Sequence, residues 1–156
     1  MGVGIPPFQS FLDEHREDVY RFLVSLVGFQ EAEDCFQETM LAAMRAYPRL
    51  RPNSNLRGWV LTIAHRKALD HQRTRGRRAV PVAEVADSRV ESDEGDAAEV
   101  WMQVRDLPSK QRAAIVLRFA SDLAHDDIGR ILGCSEDAAR RNVHEGLKRL
   151  REVSAQ

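Results

Sequence analysis

Apolar residues recur at three- and four-residue spacing through Phe11, Leu12, Val19, Phe22, Leu23, Leu26 and Val27, and Gly28 ends the run. This predicts an amphipathic helix, with Ser10 placed to cap its start. A second stripe, made of Cys35, Phe36, Met40, Ala43, Met44 and Tyr47, predicts a helix over about 32–47 that Pro48 closes. Its opposite face shows Asp34, Gln37, Glu38 and Arg45. The prolines and the Asn53-Ser54-Asn55 cluster make 48–55 a loop, and Asn55 is placed to cap a third helix over about 56–75. There Trp59, Val60, Ile63 and Ala64 face a core, and Arg57, Arg66, Lys67, Arg73 and Arg75 project outward.

Residues 79–98 hold one proline, a dense acidic run and no sustained period, the pattern of a solvated linker. Beyond them a short helix from Val100 ends at Leu107-Pro108, and Ser109 opens another that carries Gln111, Ile115, Val116, Leu117 and Phe119. Then come a helix over 126–132, the turn Gly133-Cys134-Ser135 and a helix over 136–153. Gly133 supplies the left-handed residue that stops the first, and Ser135 supplies the oxygen that caps the second. Cap, stop and apolar stripe agree on a helix-turn-helix. The expected fold is all-α: two small helical domains, a three-helix one over 8–78 and a helix-turn-helix one over 99–153, joined by a flexible acidic linker at 79–98.

Charge sharpens this picture. The overall net charge of −1 argues against a nucleic-acid partner, but it is an average over opposed blocks. Residues 1–50 carry net −4, residues 51–78 net +7, residues 79–99 net −6 and residues 100–156 net +2. Segregation of this kind suits separate partners, with a basic segment for phosphates and acidic ones for basic surfaces. No run approaches the length of a membrane span and the start lacks a signal-peptide pattern, so a cytoplasmic protein is expected.

Candidate enzyme chemistry is sparse. Cys35 and Cys134 stand far apart without a metal-ligand spacing, and they read as small buried hydrophobes. His65, Asp70 and His71 stand at five- and six-residue offsets that spread them around a helix, whereas a metal pair needs three or four. No phosphate-cradling glycine motif is present. The expectation is a non-enzyme with no cofactor and no metal.

A reading helix presents its first turns to base edges and its later basic residues to phosphates. Ser135, Arg140, Arg141, His144 and Lys148, with Asn142 on a flank, suit that task. On charge alone the basic helix with its tail through Arg78 binds an anionic polymer. A free-standing helix-turn-helix regulator and a pure protein-interaction adaptor both remain open at this level.

Four stretches in order narrow the choice. The run Ala32-Glu33-Asp34-Cys35-Phe36-Gln37-Glu38-Thr39, the pair Gly58-Trp59-Val60-Leu61-Thr62-Ile63-Ala64 and Ala68-Leu69-Asp70-His71-Gln72-Arg73, the Leu107-Pro108 joint and the run from Ile128 to Ser135 together resemble the extracytoplasmic-function group of the bacterial sigma-70 family. The resemblance covers about residues 8–78 and 97–152. It implies a transcription initiation factor that binds RNA polymerase core, at the clamp helices of the largest subunit and the flap region, and carries it to promoter DNA. Asp34, Gln37 and Glu38 fall where the family meets the clamp helices.

By the same resemblance, the loop and basic helix capture the unpaired minus-ten strand through Asn53, Ser54, Asn55, Arg57, Trp59, Arg66, Lys67 and Arg73. Ser135, Arg140, Arg141, Asn142, His144 and Lys148 read the minus-thirty-five duplex. Melting is then driven by binding, without nucleotide hydrolysis, and an anti-sigma protein is the implied regulator. The chain departs from the family at Arg66-Lys67, where Asn and an apolar residue are usual, and at Ala138, Asn142 and Glu145.

Overall fold

The computed structural model describes residues 4–52, 54–77 and 95–155, with side chains to 75 in the second stretch and from 99 in the third. Asn53 and most of the acidic stretch 79–98 lie outside the described residues. Every regular element among the described residues is helical. The chain divides into two compact units, Met1–Arg73 and Thr74–Gln156.

The first unit holds α1 (Phe8–Val27), α2 (Phe29–Ala46), a 3-10 turn at Tyr47–Arg49 and α3 (Leu56–Arg77), which runs past the unit boundary. Ser10 does not cap α1. The helix begins two residues earlier, behind Pro7, whose fixed φ suits the entry and whose carbonyl takes the Phe11 N–H at 3.1 Å. Gly28, at φ 83°, separates α1 from α2 by a single residue and turns the chain back. Ring contacts pair Tyr20 with Phe36 at 6.0 Å and Phe11 with Tyr47 at 5.3 Å, so the two helices run antiparallel. The α3 helix returns along them: Gln72 Nε2 donates to the Leu26 carbonyl at 3.0 Å, and Trp59 meets Phe11 at 5.8 Å.

Phe11, Val19, Phe22 and Leu23 of α1, Ala32, Cys35 and Ala43 of α2, and Val60, Leu61, Ala64 and Ala68 of α3 form the core. Each large member contributes about 1.5–3 kcal/mol by leaving water. The inner stripe of α3 is therefore centred on Val60, Leu61, Ala64 and Ala68, while Trp59 and Ile63, expected to face the core with Val60 and Ala64, sit half-buried on its flanks. Buried Thr39 bonds back to the Cys35 carbonyl at 2.7 Å and Ser25 to the Phe22 carbonyl at 2.6 Å, which keeps both hydroxyls satisfied inside the bundle.

The second unit holds α4 (Gly95–Arg105), α5 (Ser109–Ile115), a π-helical turn at Val116–Ala120, α6 (His125–Leu132) and α7 (Glu136–Ser154). Helix α4 starts inside the stretch read as linker. The π turn, closed by the Ser121 N–H on the Val116 carbonyl at 3.1 Å, rotates the last turn of that segment and leaves Phe119 59 % exposed instead of packed.

Helices α6 and α7 meet across the three-residue turn. Gly133 takes φ 73° and ψ 34°, the Cys134 N–H closes on the Gly129 carbonyl at 2.9 Å, and Ser135 Oγ accepts the Ala138 N–H at 3.0 Å. Gly129 is required by space: a Cβ there would lie 2.7 Å from the Cys134 carbonyl oxygen. At Gly146 a Cβ would come within 2.8 Å of Ile115 Cγ1, so its absence lets α7 press directly on α5.

Candidate functional site

Three surfaces carry the sequence-predicted residues. The first is the outer face of α2, where Asp34, Gln37 and Glu38 are all exposed. They share that face with Leu41 and Met44, 48 % and 49 % exposed, although Met44 was expected on the inner stripe. Its neighbour one turn back, Met40, is only 8 % exposed and takes the inner position. The surface is thus mixed: carboxylates and an amide around two apolar side chains. Beneath it, burial first and then the charges of Glu38, Glu31 and Asp34 push the Cys35 thiol up to about 12, so that sulfur is an inert packing atom. Sequence reasoning missed Leu41, for which an apolar residue inside the acidic stripe was the available signal.

His71, set aside in the search for metal ligands, belongs to this surface as well. From α3 its Nε2 reaches Glu38 Oε2 at 3.3 Å and its Nδ1 lies 3.8 Å from Glu31 Oε2. No group of three or more potential metal ligands exists among the described residues.

The second surface is the loop and α3. Asn55 caps the helix, its Oδ1 accepting the Gly58 N–H at 3.1 Å, and Ser54 Oγ donates to the Arg51 carbonyl at 2.6 Å. Both side chains therefore shape the loop itself. Arg57 is committed too: its Nε donates to Asp18 Oδ2 of α1 at 2.8 Å. Trp59 lies in a ring cluster with Phe11 and Tyr47, with Phe8 beside them, and the Tyr47 hydroxyl donates to the Pro6 carbonyl, fastening the chain's start to the loop's base. Arg66 and Arg73 are exposed and Lys67 is half-buried, and none of the three is ion-paired among the described residues. Of the sequence-predicted residues on α3, Arg66, Lys67 and Arg73 follow one another along the helix, and Arg57 and Trp59 at its start also make contacts that hold the bundle together.

The third surface is α7. Ala139, Val143 and Gly146 face inward, which turns Arg140, Arg141, His144 and Lys148 outward and leaves Asn142 half-buried. Arg140 Nη2 pairs with Glu136 Oε1 at 3.2 Å one turn back, an exposed pair worth only a few tenths of a kcal/mol and easily exchanged. On the same unit α4, the π turn and the end of α7 enclose an apolar cleft of about 260 Å³, lined among others by Val100, Trp101, Val104, Val116, Phe119 and Leu150.

Comparison with known proteins identifies both helical regions. The family description Sigma-70 region 2 matches residues 11–78, and Sigma-70, region 4 matches residues 97–150. The chain is 32 % identical over 143 residues to the ECF RNA polymerase sigma factor SigC of Mycobacterium tuberculosis, covering 86 % of this chain and 76 % of that protein. It is 29 % identical over 163 residues to the ECF RNA polymerase sigma factor SigE of Mycolicibacterium smegmatis, covering 97 % of this chain but 63 % of the longer relative. Among solved structures it matches the sigma factor RpoE of Bartonella quintana, crystallised with the anti-sigma factor NepR, at a TM-score of 0.86 and 26 % identity over 97 % of this chain and 98 % of that one. With both helical regions matched in order and their surfaces laid out as above, the chain belongs to the extracytoplasmic-function group of the sigma-70 family.

Proposed function

We propose that this protein binds RNA polymerase core through α2, directs it to promoters, and aids strand opening by holding the separated minus-ten strand on α3, without nucleotide hydrolysis. The α7 helix reads the minus-thirty-five duplex in the major groove, with Arg140 and Arg141 toward base edges and His144 and Lys148 toward the backbone. The apolar cleft beside it suits the flap region of the polymerase or a helix of an anti-sigma protein, since an amphipathic helix seats its apolar face in such a groove.

The observation that carries this reading is the pairing on one small bundle of two different exposed faces. Acids and apolar groups lie on α2, and Arg66, Lys67 and Arg73, with no ion pair among the described residues, lie on the following helix. One body can then bridge a basic protein surface and a phosphate backbone. Melting needs only that the single strand be bound better than the duplex, so the energy comes from strand contacts and no catalytic group is needed.

The test is promoter-fragment binding with and without core polymerase. The expected result is weak, salt-sensitive association by the protein alone and a specific, melted complex once core is added. Tight specific binding of duplex by the protein alone would support a free-standing regulator instead.

A further inference from the structure

Glu31 and Glu38 stand seven residues apart on α2, two turns or about 10 Å along the axis. The imidazole of His71, projecting from α3, is set between them, 3.8 Å from one carboxylate and 3.3 Å from the other. Its side chain is 23 % exposed, against 51 % for Glu38, so a shielded ring holds a carboxylate whose other side faces solvent. A carboxylate has about four acceptor positions and the imidazole N–H occupies one of them. The remainder stay available to an arginine or lysine from outside.

We propose that His71 is a positioning residue for polymerase binding: it presets the Glu38 carboxylate on the α2 face before core arrives. The inference rests on the reading of α2 as the docking surface and adds a residue from a different helix to it. The physical gain is preorganisation. A free glutamate loses rotamer freedom when it is fixed at an interface, and a glutamate already held by a neighbouring donor has lost much of it beforehand. Because His71 lies on the helix that also carries Arg66 and Arg73, the same contact ties the orientation of the cationic helix to that of the docking face.

The experiment is a double-mutant cycle read as the Kd for core RNA polymerase with the full chain, using Glu38→Ala, His71→Phe and the pair together. His71→Phe keeps the ring's bulk and removes its N–H, and His71→Gln, which retains an N–H donor, is the rescue variant. Thermal melts accompany each protein.

Loss of the preset carboxylate is expected to raise Kd about two- to twelvefold in His71→Phe. No further loss is expected when Glu38 is already alanine, and His71→Gln should fall within about twofold of the parent. Additive losses would mean that His71 acts through packing and would overturn the proposal. An unchanged Kd in His71→Phe beside a raised Kd in Glu38→Ala would overturn it while leaving the docking face intact. An unchanged Kd in Glu38→Ala would remove the docking face, and the proposal with it. Should His71→Phe fail to fold, His71→Ala takes its place in the cycle and His71→Gln remains the rescue variant.

Discussion

Arg57 at the start of α3 donates its Nε to Asp18 in the middle of α1, at 2.8 Å, with the Asp18 side chain only 17 % exposed. A residue whose type and place suggest a hand for DNA therefore also serves as a strut between the start of the cationic helix and α1. Removing the acid would leave the guanidinium beside an apolar bundle without this partner. Asp18→Ala is expected to lower stability by about 1 kcal/mol, kept modest because Arg57 is 37 % exposed to water. For a unit of this size that is a fall of about 4–8 °C in melting temperature. A calorimetric scan checks it, and an unchanged melting temperature would show the strut to be idle.

Acid should weaken the first unit. Burial, and after it the charge of Arg66, holds the His65 imidazole below its ordinary value of 6.5, and burial also lowers His15, opposed by Glu14 and Asp18. A group with a depressed folded pKa binds protons more readily when unfolded. Its stabilising neutral form is therefore fully present above 6.5 and is lost as the pH falls below it. Melting temperature should drop between about pH 7.5 and about pH 5.5, and His65→Leu should flatten the drop. A melting temperature that rises on acidification would contradict the burial argument.

Reversing charge on α2 should separate docking from folding. Asp34→Lys with Glu38→Lys places two cations on a face read as meeting a basic partner, at exposed positions where the fold gives up the Glu38–His71 contact and little packing. Core affinity is expected to fall at least about tenfold, by repulsion and loss of charge-assisted bonds, with the helical content unchanged. Met44→Ala on the same face should weaken binding less, through lost apolar contact alone. Titration with labelled core measures both.

Cations on α3 should be visible in salt dependence. Each phosphate contact on a single strand contributes about 0.7 to the slope of log affinity against log salt. Arg66→Ala and Arg73→Ala should each reduce the slope for a minus-ten strand by about that amount when bound by the holoenzyme. Arg57→Ala should act mainly through stability, and an equal slope change there would restore it to the strand-binding set.

The turn between α6 and α7 tolerates no side chain at Gly129. A methyl there meets the Cys134 carbonyl oxygen at 2.7 Å and the Ser135 carbonyl carbon at 3.2 Å, backbone atoms that cannot swing aside. Gly129→Ala should cost about 1–3 kcal/mol and loosen the presentation of α7. Denaturation of the variant and its loss of minus-thirty-five binding should go together.

Local chemistry made much of this fold legible from the residues. Gly28, Gly133, Ser135 and Asn55 act within four residues of themselves, so their roles as stops and caps could be read directly. Ser10 misled because Pro7 opened the helix earlier with no side-chain cap. Helical periodicity marks a stripe but not its width. Met40 and Met44 are one turn apart and equally apolar, and only the position of the neighbouring helices decides that one is covered and the other is left outside. Partners distant in sequence left no local trace: Asp18 is 39 residues from Arg57, and Glu38 is 33 residues from His71. A π turn that swings Phe119 outward depends on how α5 packs, so an unbroken apolar stripe was the natural expectation there.

On this account two helical units bring core polymerase to promoters. Run-off transcription with purified core polymerase on a pool of genomic fragments tests it most directly. Discrete transcripts that require this protein, need no nucleotide hydrolysis for opening and disappear with the Asp34→Lys, Glu38→Lys variant are the predicted result. Active core that yields no protein-dependent transcript from any fragment would contradict it.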